Sequence, residues 1–339
     1  MSILPVLLLF AGAVTSAEQQ AMAAEVGAPA ARIPRFEHVF VVVEENESYD
    51  EVIGNTKDLP YLNSLAAKYG LATNYYANTH PSINNYFYLT AGRKGTRWPW
   101  VGELSDLFSG EVAGDNVASV LSANGKTWRA YAESLPSAGY LGSNRSRYAK
   151  RHNPFAYFES VRQDKGSAGH ASQAANIVPF ENFAGDLKNS RFPDYSFIVP
   201  NLYDDGHTDP ATQRNATCGD HHALQNIDTW LKTNMEPLIE SDSFQRGGLL
   251  VIVFDEGCED GATADWRFDP NRPVIKGGGH IPALIISGRT AGARGDGLYH
   301  HESVLRLSLR ALGVEQLPGG AKDAPDMDVF FNAKGRNSR

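Results

Sequence analysis

The sequence is poor in cysteine, has no block of basic residues, and opens on an apolar run too short to cross a membrane. Each shortage removes a class of protein. Two cysteines in 339 residues exclude a disulfide-dense mini-fold and cannot hold a zinc ion alone. Lys and Arg number 31 against 39 Asp and Glu, a formal net charge of −8, and no stretch is a basic run. Binding a nucleic-acid backbone needs clustered cations that release counterions, so no nucleic-acid partner is expected. Internal repeats and low-complexity tracts are also absent. With 42% hydrophobic and 21% charged residues the composition is ordinary for a globular chain.

The first apolar run, Ile3 to Val14, covers 12 residues, against the roughly 20 that span a bilayer. No stable membrane anchor is expected from it. Small residues follow it, and residues 1–23 read as a secretory signal peptide cleaved after Ala17 or Ala23, which makes the protein secreted or periplasmic. No Lys or Arg precedes the run, and the competing reading is a buried N-terminal strand. Residues 24–35 read as a flexible lead-in, and 36–339 as a single domain. Export would place Cys218 and Cys258 in an oxidising compartment, where they either close one disulfide or remain two structural thiols.

Four segments have the apolar, β-branched character of strands buried on both faces of a parallel sheet: Phe36–Val43, Tyr195–Pro200, Gly248–Phe254 and Ile281–Ser287. Apolar residues at three- and four-residue spacing predict helices over Leu59–Tyr69, Asn116–Ala123, Phe180–Leu187, His221–Ile239 and Glu302–Leu312. The alternation predicts an α/β sandwich with a mainly parallel central sheet. Residues 93–173, rich in Gly, Ser and aromatics, read as insertions folded over that sheet.

Ligands in such sheets bind beyond the carboxyl ends of the strands. Two acidic bursts fall there, Glu45-Asn46 after the first strand and Asp255-Glu256 after the third. Singly, each could be a helix cap or a solvated loop. Together, four hard oxygen donors brought to one sheet edge suit a divalent cation, because unpaired carboxylates repel. Ser82 opens a helical pattern and reads either as a plain N-cap or as a hydroxyl nucleophile activated by the cation. Of ten histidines, His80, His152, His207, His280 and His301 sit in loops or at element ends, suited to phosphate binding or proton transfer.

These segments also carry a family resemblance. Val41-Val42-Val43-Glu44-Glu45-Asn46-Glu47-Ser48-Tyr49-Asp50 resembles the opening motif of the bacterial phosphoesterase family that contains acid phosphatases and non-haemolytic phospholipases C, within the alkaline phosphatase superfamily. Thr79-His80-Pro81-Ser82 with Asn85-Tyr86 resembles its short secreted acid phosphatase branch, which includes phosphatases acting on phosphoinositides. Lys150-Arg151-His152-Asn153-Pro154-Phe155, Pro200-Asn201-Leu202 with Asp204 and His207, Asp255-Glu256-Gly257, Gly279-His280-Ile281-Pro282 and His301-Glu302 continue the series in order.

The resemblance implies an alkaline-phosphatase-like three-layer fold and one divalent metal on Glu45, Asn46, Asp255 and Glu256. All-oxygen donors favour calcium, magnesium or manganese, and nearby histidines keep zinc or iron open. It implies an acid phosphatase that hydrolyses small phosphate monoesters, a phosphoinositide or nucleotide among the candidates, through a phosphoserine. Ser82 is the proposed nucleophile, although larger relatives use a serine in another insertion. His80, His152, His207 and His280 would be catalytic, and Asn85, Lys150 or Arg151, and His301 would hold the phosphate. Reliance on imidazolium would give an acidic optimum. The alternatives are a phospholipase C-type diesterase on the same scaffold and a non-catalytic metal-containing binding protein. Glu44 stands where the family motif has Met, which adds a charge beside the metal pair.

Overall fold

The computed structural model describes residues 33–95, 111–166, 171–258 and 277–332. The expected signal peptide and most of the expected lead-in lie outside these. The first strand, β1 (His38–Glu44), is a run of Val and Phe buried along nearly its whole length. It lies between β8 (Gly248–Phe254) and β5 (Tyr195–Val199), both parallel to it. Five parallel strands run to one edge of the sheet in the order β8, β1, β5, β3 (Trp128–Ala132), β4 (Ile177–Pro179). On the other side come β9 (Ala283–Ile286), β2 (Gly70–Ala72) and β10 (Arg294–Gly295). A separate two-stranded hairpin pairs β6 (Thr208–Asp209) with β7 (Arg214–Asn215).

β9 pairs antiparallel with both β8 and β2. The sequence pattern had suggested another copy of the parallel strands. Its reversal means that the residues before β9, Gly277 to Pro282, meet the edge where the parallel strands end. Gly257 N–H donates to Gly278 O at 2.6 Å there. Within residues 93–173, β3 is a strand of the sheet itself and not a cover over it.

Helices pack on the sheet with their apolar faces inward: α1 (Pro60–Lys68), α2 (Ser82–Ala91), α3 (Val117–Ala123), α4 (Glu181–Asn189), α5 (His221–Glu240) and α6 (His301–Ala311). Asp220 caps α5 by accepting the N–H groups of His222 and Ala223. Among the described residues no helix is long and apolar enough to cross a membrane. α2 differs from the others in being buried almost all round, with only Tyr88 of its ten residues outside the buried class. A helix of that kind belongs to the core, and its N-terminal end points its first side chains at the sheet edge.

Candidate active site

Parallel register brings the acidic residues together before any side chain is considered. Glu44 pairs with Phe254 at the end of the β1–β8 ladder. The ladder hydrogen bonding continues past the strands: Asp255 N–H donates to Glu44 O and Glu45 N–H to Asp205 O, both at 2.8 Å. Three loops, after β1, β5 and β8, are stitched side by side, each carrying a buried carboxyl, Glu45, Asp205 and Asp255.

Glu45 is the centre of the group. Its Oε2 accepts from Ser82 Oγ and from Asn46 Nδ2, both at 3.1 Å, and its Oε1 accepts from the Tyr86 hydroxyl at 2.7 Å. His152 stacks on Tyr86 with ring centroids 5.3 Å apart. Its Nδ1 lies 3.2 Å from Asp205 Oδ2 and its Nε2 lies 3.2 Å from Glu45 Oε1. Asn46 is held at φ 59, a left-handed conformation uncommon outside glycine, and its N–H donates to Asp255 Oδ1 at 3.2 Å. Gly206, at φ +95, separates Asp205 from His207; a Cβ there would meet Ile227 Cδ1 at 2.6 Å and Glu45 O at 3.2 Å. Only glycine fits that close approach.

Burial drives the electrostatics. It pushes the carboxyls of Glu45 and Asp205 well above their ordinary range, with Asp255 adding to the rise in each, and raises Asp255 to about 8, with Glu256 as the next cause. Burial, then Arg151, lowers His152 well below the ordinary imidazole value and brings His207 to about 4. Burial thus disfavours the charged imidazolium at both positions.

A neutral His152 that donates from Nδ1 to Asp205 turns its Nε2 lone pair toward Glu45 Oε1. Nε2 makes no hydrogen bond, and Asp255 Oδ2 is likewise buried without one. Acceptor facing acceptor at 3.2 Å is relieved by a proton on Glu45 or by a cation bound between them. Glu45, His152 and Asp205 each offer a ligand atom within 4.8 Å of the others. The residues present thus fit a divalent cation.

The expected donors Asn46 and Glu256 lie beside this group and make hydrogen bonds of their own. Glu256 Oε2 accepts from Asn85 Nδ2 at 3.1 Å, and its Oε1 lies 3.3 Å from His80 Nδ1. Asn46 turns its amide N–H toward Glu45. Asp205 and Tyr86 were not singled out from the sequence. Asp205 sits in the polar burst after β5, where attention fell on Asp204; that residue instead accepts from Asn201 and Asn226.

The other expected site residues are placed as follows. Asn85 makes four hydrogen bonds, three to the loop before Ser82 and one to Glu256. Its Oδ1 accepts the N–H groups of Asn78 and Thr79, and its Nδ2 donates to Thr79 O and to Glu256. These bonds position that loop. His301 is fully buried in α6, with Nε2 2.7 Å from Asp255 O and Nδ1 3.1 Å from the Tyr75 hydroxyl. His280 is stacked between Tyr49 and Tyr76, with Nε2 3.2 Å from Thr73 O. The Lys150 ammonium lies over the Tyr157 ring at 4.5 Å. Its neighbour Arg151 is the group that reaches the site, 2.8 Å from His207 Nε2.

A cavity of about 490 Å³ opens onto this cluster, with Ser82, Asn46, Arg151, His207 and Glu256 in its walls. Cys218 and Cys258 form a disulfide in the same wall, which settles the choice left by the sequence.

The Ser82 hydroxyl, the carboxyl cluster and Arg151 thus meet at one cavity. Residues 55–314 match the Phosphoesterase family, and the chain belongs to that family. The Mycobacterium tuberculosis protein named phosphatidylinositol-3-phosphatase is 31% identical over 257 residues, 76% of this chain and 73% of that protein. Identity to the Kluyveromyces lactis protein named "Probable acid phosphatase" is 28% over 306 residues, 88% of this chain and 63% of that one. An Aspergillus fumigatus acid phosphatase is 27% identical over 310 residues, 88% of this chain and 60% of that protein. The chain thus spans about three fifths of the length of these two fungal relatives.

Among solved structures, the fold is similar to a protein in the alkaline phosphatase superfamily from Vibrio parahaemolyticus. Its TM-score is 0.53 at 16% identity, with 92% of this chain and 72% of that one covered. The lipoteichoic acid synthase LtaP from Listeria monocytogenes gives a TM-score of 0.54 at 10% identity, covering 88% and 76%. The fold is that of the alkaline phosphatase superfamily.

Proposed function

We propose that this chain is an exported, metal-dependent phosphatase that hydrolyses phosphate monoesters through a phosphoserine at Ser82. The observation that carries the reading is the Ser82 hydroxyl, donated to Glu45 Oε2 at 3.1 Å on the wall of the cavity. Names carried by the relatives, two of them acid phosphatases and one a phosphatidylinositol-3-phosphatase, support the same reaction class.

Glu45, His152 Nε2 and Asp255 Oδ2 would hold the cation, with Asp205 orienting His152 through its Nδ1–H. When bound, the cation would lower the pKa of the serine hydroxyl and offset the phosphoryl charge. An imidazole among the donors moves the preference from calcium and magnesium toward manganese, iron or zinc.

Arg151 and the N-terminal end of α2 bind the non-bridging phosphoryl oxygens. Ser82 Oγ attacks phosphorus in line, and its proton passes to Glu45 Oε2, the acceptor it already faces. His80, two residues before Ser82 and beside Glu256, protonates the departing alkoxide. Water then attacks the phosphoserine and releases phosphate, and Ser82 recovers its proton.

Hydrolysis of p-nitrophenyl phosphate and bis-p-nitrophenyl phosphate, with and without chelator, tests this reading. Monoester turnover that dies with chelator and returns with metal is expected. Faster diester turnover would point to the phospholipase C-type reaction. A folded, metal-loaded protein silent on both esters would point to a binding protein.

A further inference from the structure

The loop that delivers His80 and Ser82 to the cavity is anchored from outside it, by a carboxyl on α6. Backbone contacts hold the start of the loop: Ala77 N–H donates to Gly279 O at 3.0 Å and Gly278 N–H to Ala77 O at 3.1 Å. Gly278 lies so close that a Cβ there would come within 2.5 Å of Thr79 O. Beyond Ala77 the loop is held by side chains. Asn78 Nδ2 donates to Glu302 Oε2 at 2.8 Å, a bond between residues 224 apart in sequence. Asn78 and Thr79 give their N–H groups to Asn85 Oδ1, and Asn85 Nδ2 donates onward to Glu256 Oε2. Glu256 Oε1 in turn lies 3.3 Å from His80 Nδ1. Asn78 and Asn85 are buried, so a partner lost from either is not readily replaced by water. Glu302 stands outside the cavity wall in the first turn of α6, where the helix dipole favours a carboxylate.

We propose that Glu302 is a positioning residue for leaving-group protonation: through Asn78 and Asn85 it fixes the loop that aims His80 at the departing oxygen. The inference rests on the phosphatase reading and on His80 as the acid in it. Glu302 touches neither substrate nor reacting atoms, and its part is to supply the acceptor that Asn78 requires. With that acceptor removed, Asn78 Nδ2 is left buried without its partner and the loop moves to find another. Displacing a catalytic group by about 1 Å can cost on the order of 100-fold in rate. The loss falls unequally on substrates. An alkyl phosphate leaves as a strongly basic alkoxide and needs the His80 proton, whereas p-nitrophenolate leaves as a stable anion and needs little of it. A residue that only holds the fold together would slow both esters alike.

The test compares kcat/KM for β-glycerophosphate and p-nitrophenyl phosphate in metal-loaded protein carrying Glu302→Leu, Glu302→Gln or Asn78→Ala. That ratio covers the steps up to departure of the alcohol, so slow hydrolysis of the phosphoserine does not mask the effect. Glu302→Leu and Asn78→Ala are expected to lose about tenfold or more on the alkyl ester beyond any loss on p-nitrophenyl phosphate. Glu302→Gln keeps an oxygen that accepts from Asn78 and should restore most of that loss, while His80→Ala should show the same split more deeply. Equal losses on the two esters in Glu302→Leu, or a Gln variant no better than Leu, would overturn the inference and leave the phosphatase reading intact. Wild-type protein silent on both esters would overturn that reading, and the inference with it. Should Glu302→Leu fail to fold, Asn78→Ala decides from the other end of the same bond.

Discussion

At the scale of single residues, Glu45 accepts hydrogen bonds from Ser82, Asn46 and Tyr86. Glu45, Asp255, Ser82 and His152 lie where a polar burst follows an apolar strand or precedes a helix, a signal that local sequence carries. Asn85 is different: its neighbours look like a phosphate loop, and only the folded chain reveals that its amide closes four hydrogen bonds within the protein. Asn85→Ala should therefore destabilise by about 2–4 kcal/mol, because two buried N–H groups and a carbonyl lose their partner. Denaturant unfolding checks this, and a loss below about 0.5 kcal/mol would contradict it. Tyr86→Phe removes one donor from Glu45 and keeps the ring stacked on His152. About 1–3 kcal/mol of destabilisation in the metal-free protein is expected from thermal unfolding.

At the scale of elements, strand existence was clear where β-branched runs were long, and direction was not. β9 carries the same apolar pattern as β8, and nothing in the pattern distinguishes antiparallel from parallel pairing when both faces are buried. That reversal brings His280, three residues before β9, to the edge where the parallel strands end, stacked between Tyr49 and Tyr76. Short strands such as β2 and β10, of three and two residues, have no periodicity to read. Of the predicted helices, His221–Ile239 came within one residue of α5, because its cap and amphipathic repeat are local features. The disulfide closes a loop with a sequence separation of 40 and ties the segment before α5 to the loop after β8. Reduction is expected to cost about 3–4 kcal/mol by the chain-entropy account. Calorimetry of oxidised and reduced protein in chelator tests this, with coincident transitions as the contradicting result.

At the scale of the whole molecule, buried titratable groups set how stability follows pH. The carboxyls of Asp255 and Glu47 are raised to about 8, and those of Glu133 and Glu302 to about 7, each chiefly by burial. The unfolded chain ionises such groups near pH 4, so the folded state binds more protons between about pH 4 and 8, and stability falls as pH rises through that window. Buried histidines act in the opposite sense. His207 and His300 are lowered to about 4 and His301 to about 3, so their contribution is lost as pH falls below about 6.5. Above about pH 6.5 only the carboxyl effect remains. Metal-free protein should melt at progressively lower temperature from pH 6.5 to 8.5, and added cation should flatten that decline. A melting temperature that stays level in chelator would contradict the assignment of Asp255 and its neighbours as buried, cation-seeking carboxyls.

The central claim is that Ser82 is the nucleophile of this phosphoesterase, and turnover of p-nitrophenyl phosphate by metal-loaded Ser82→Ala protein, with its fold checked by thermal unfolding, tests it most directly. The account predicts loss of turnover in a variant that unfolds within a few degrees of the wild type. Activity retained near the wild-type rate would contradict it and place the nucleophile on another hydroxyl of the cavity.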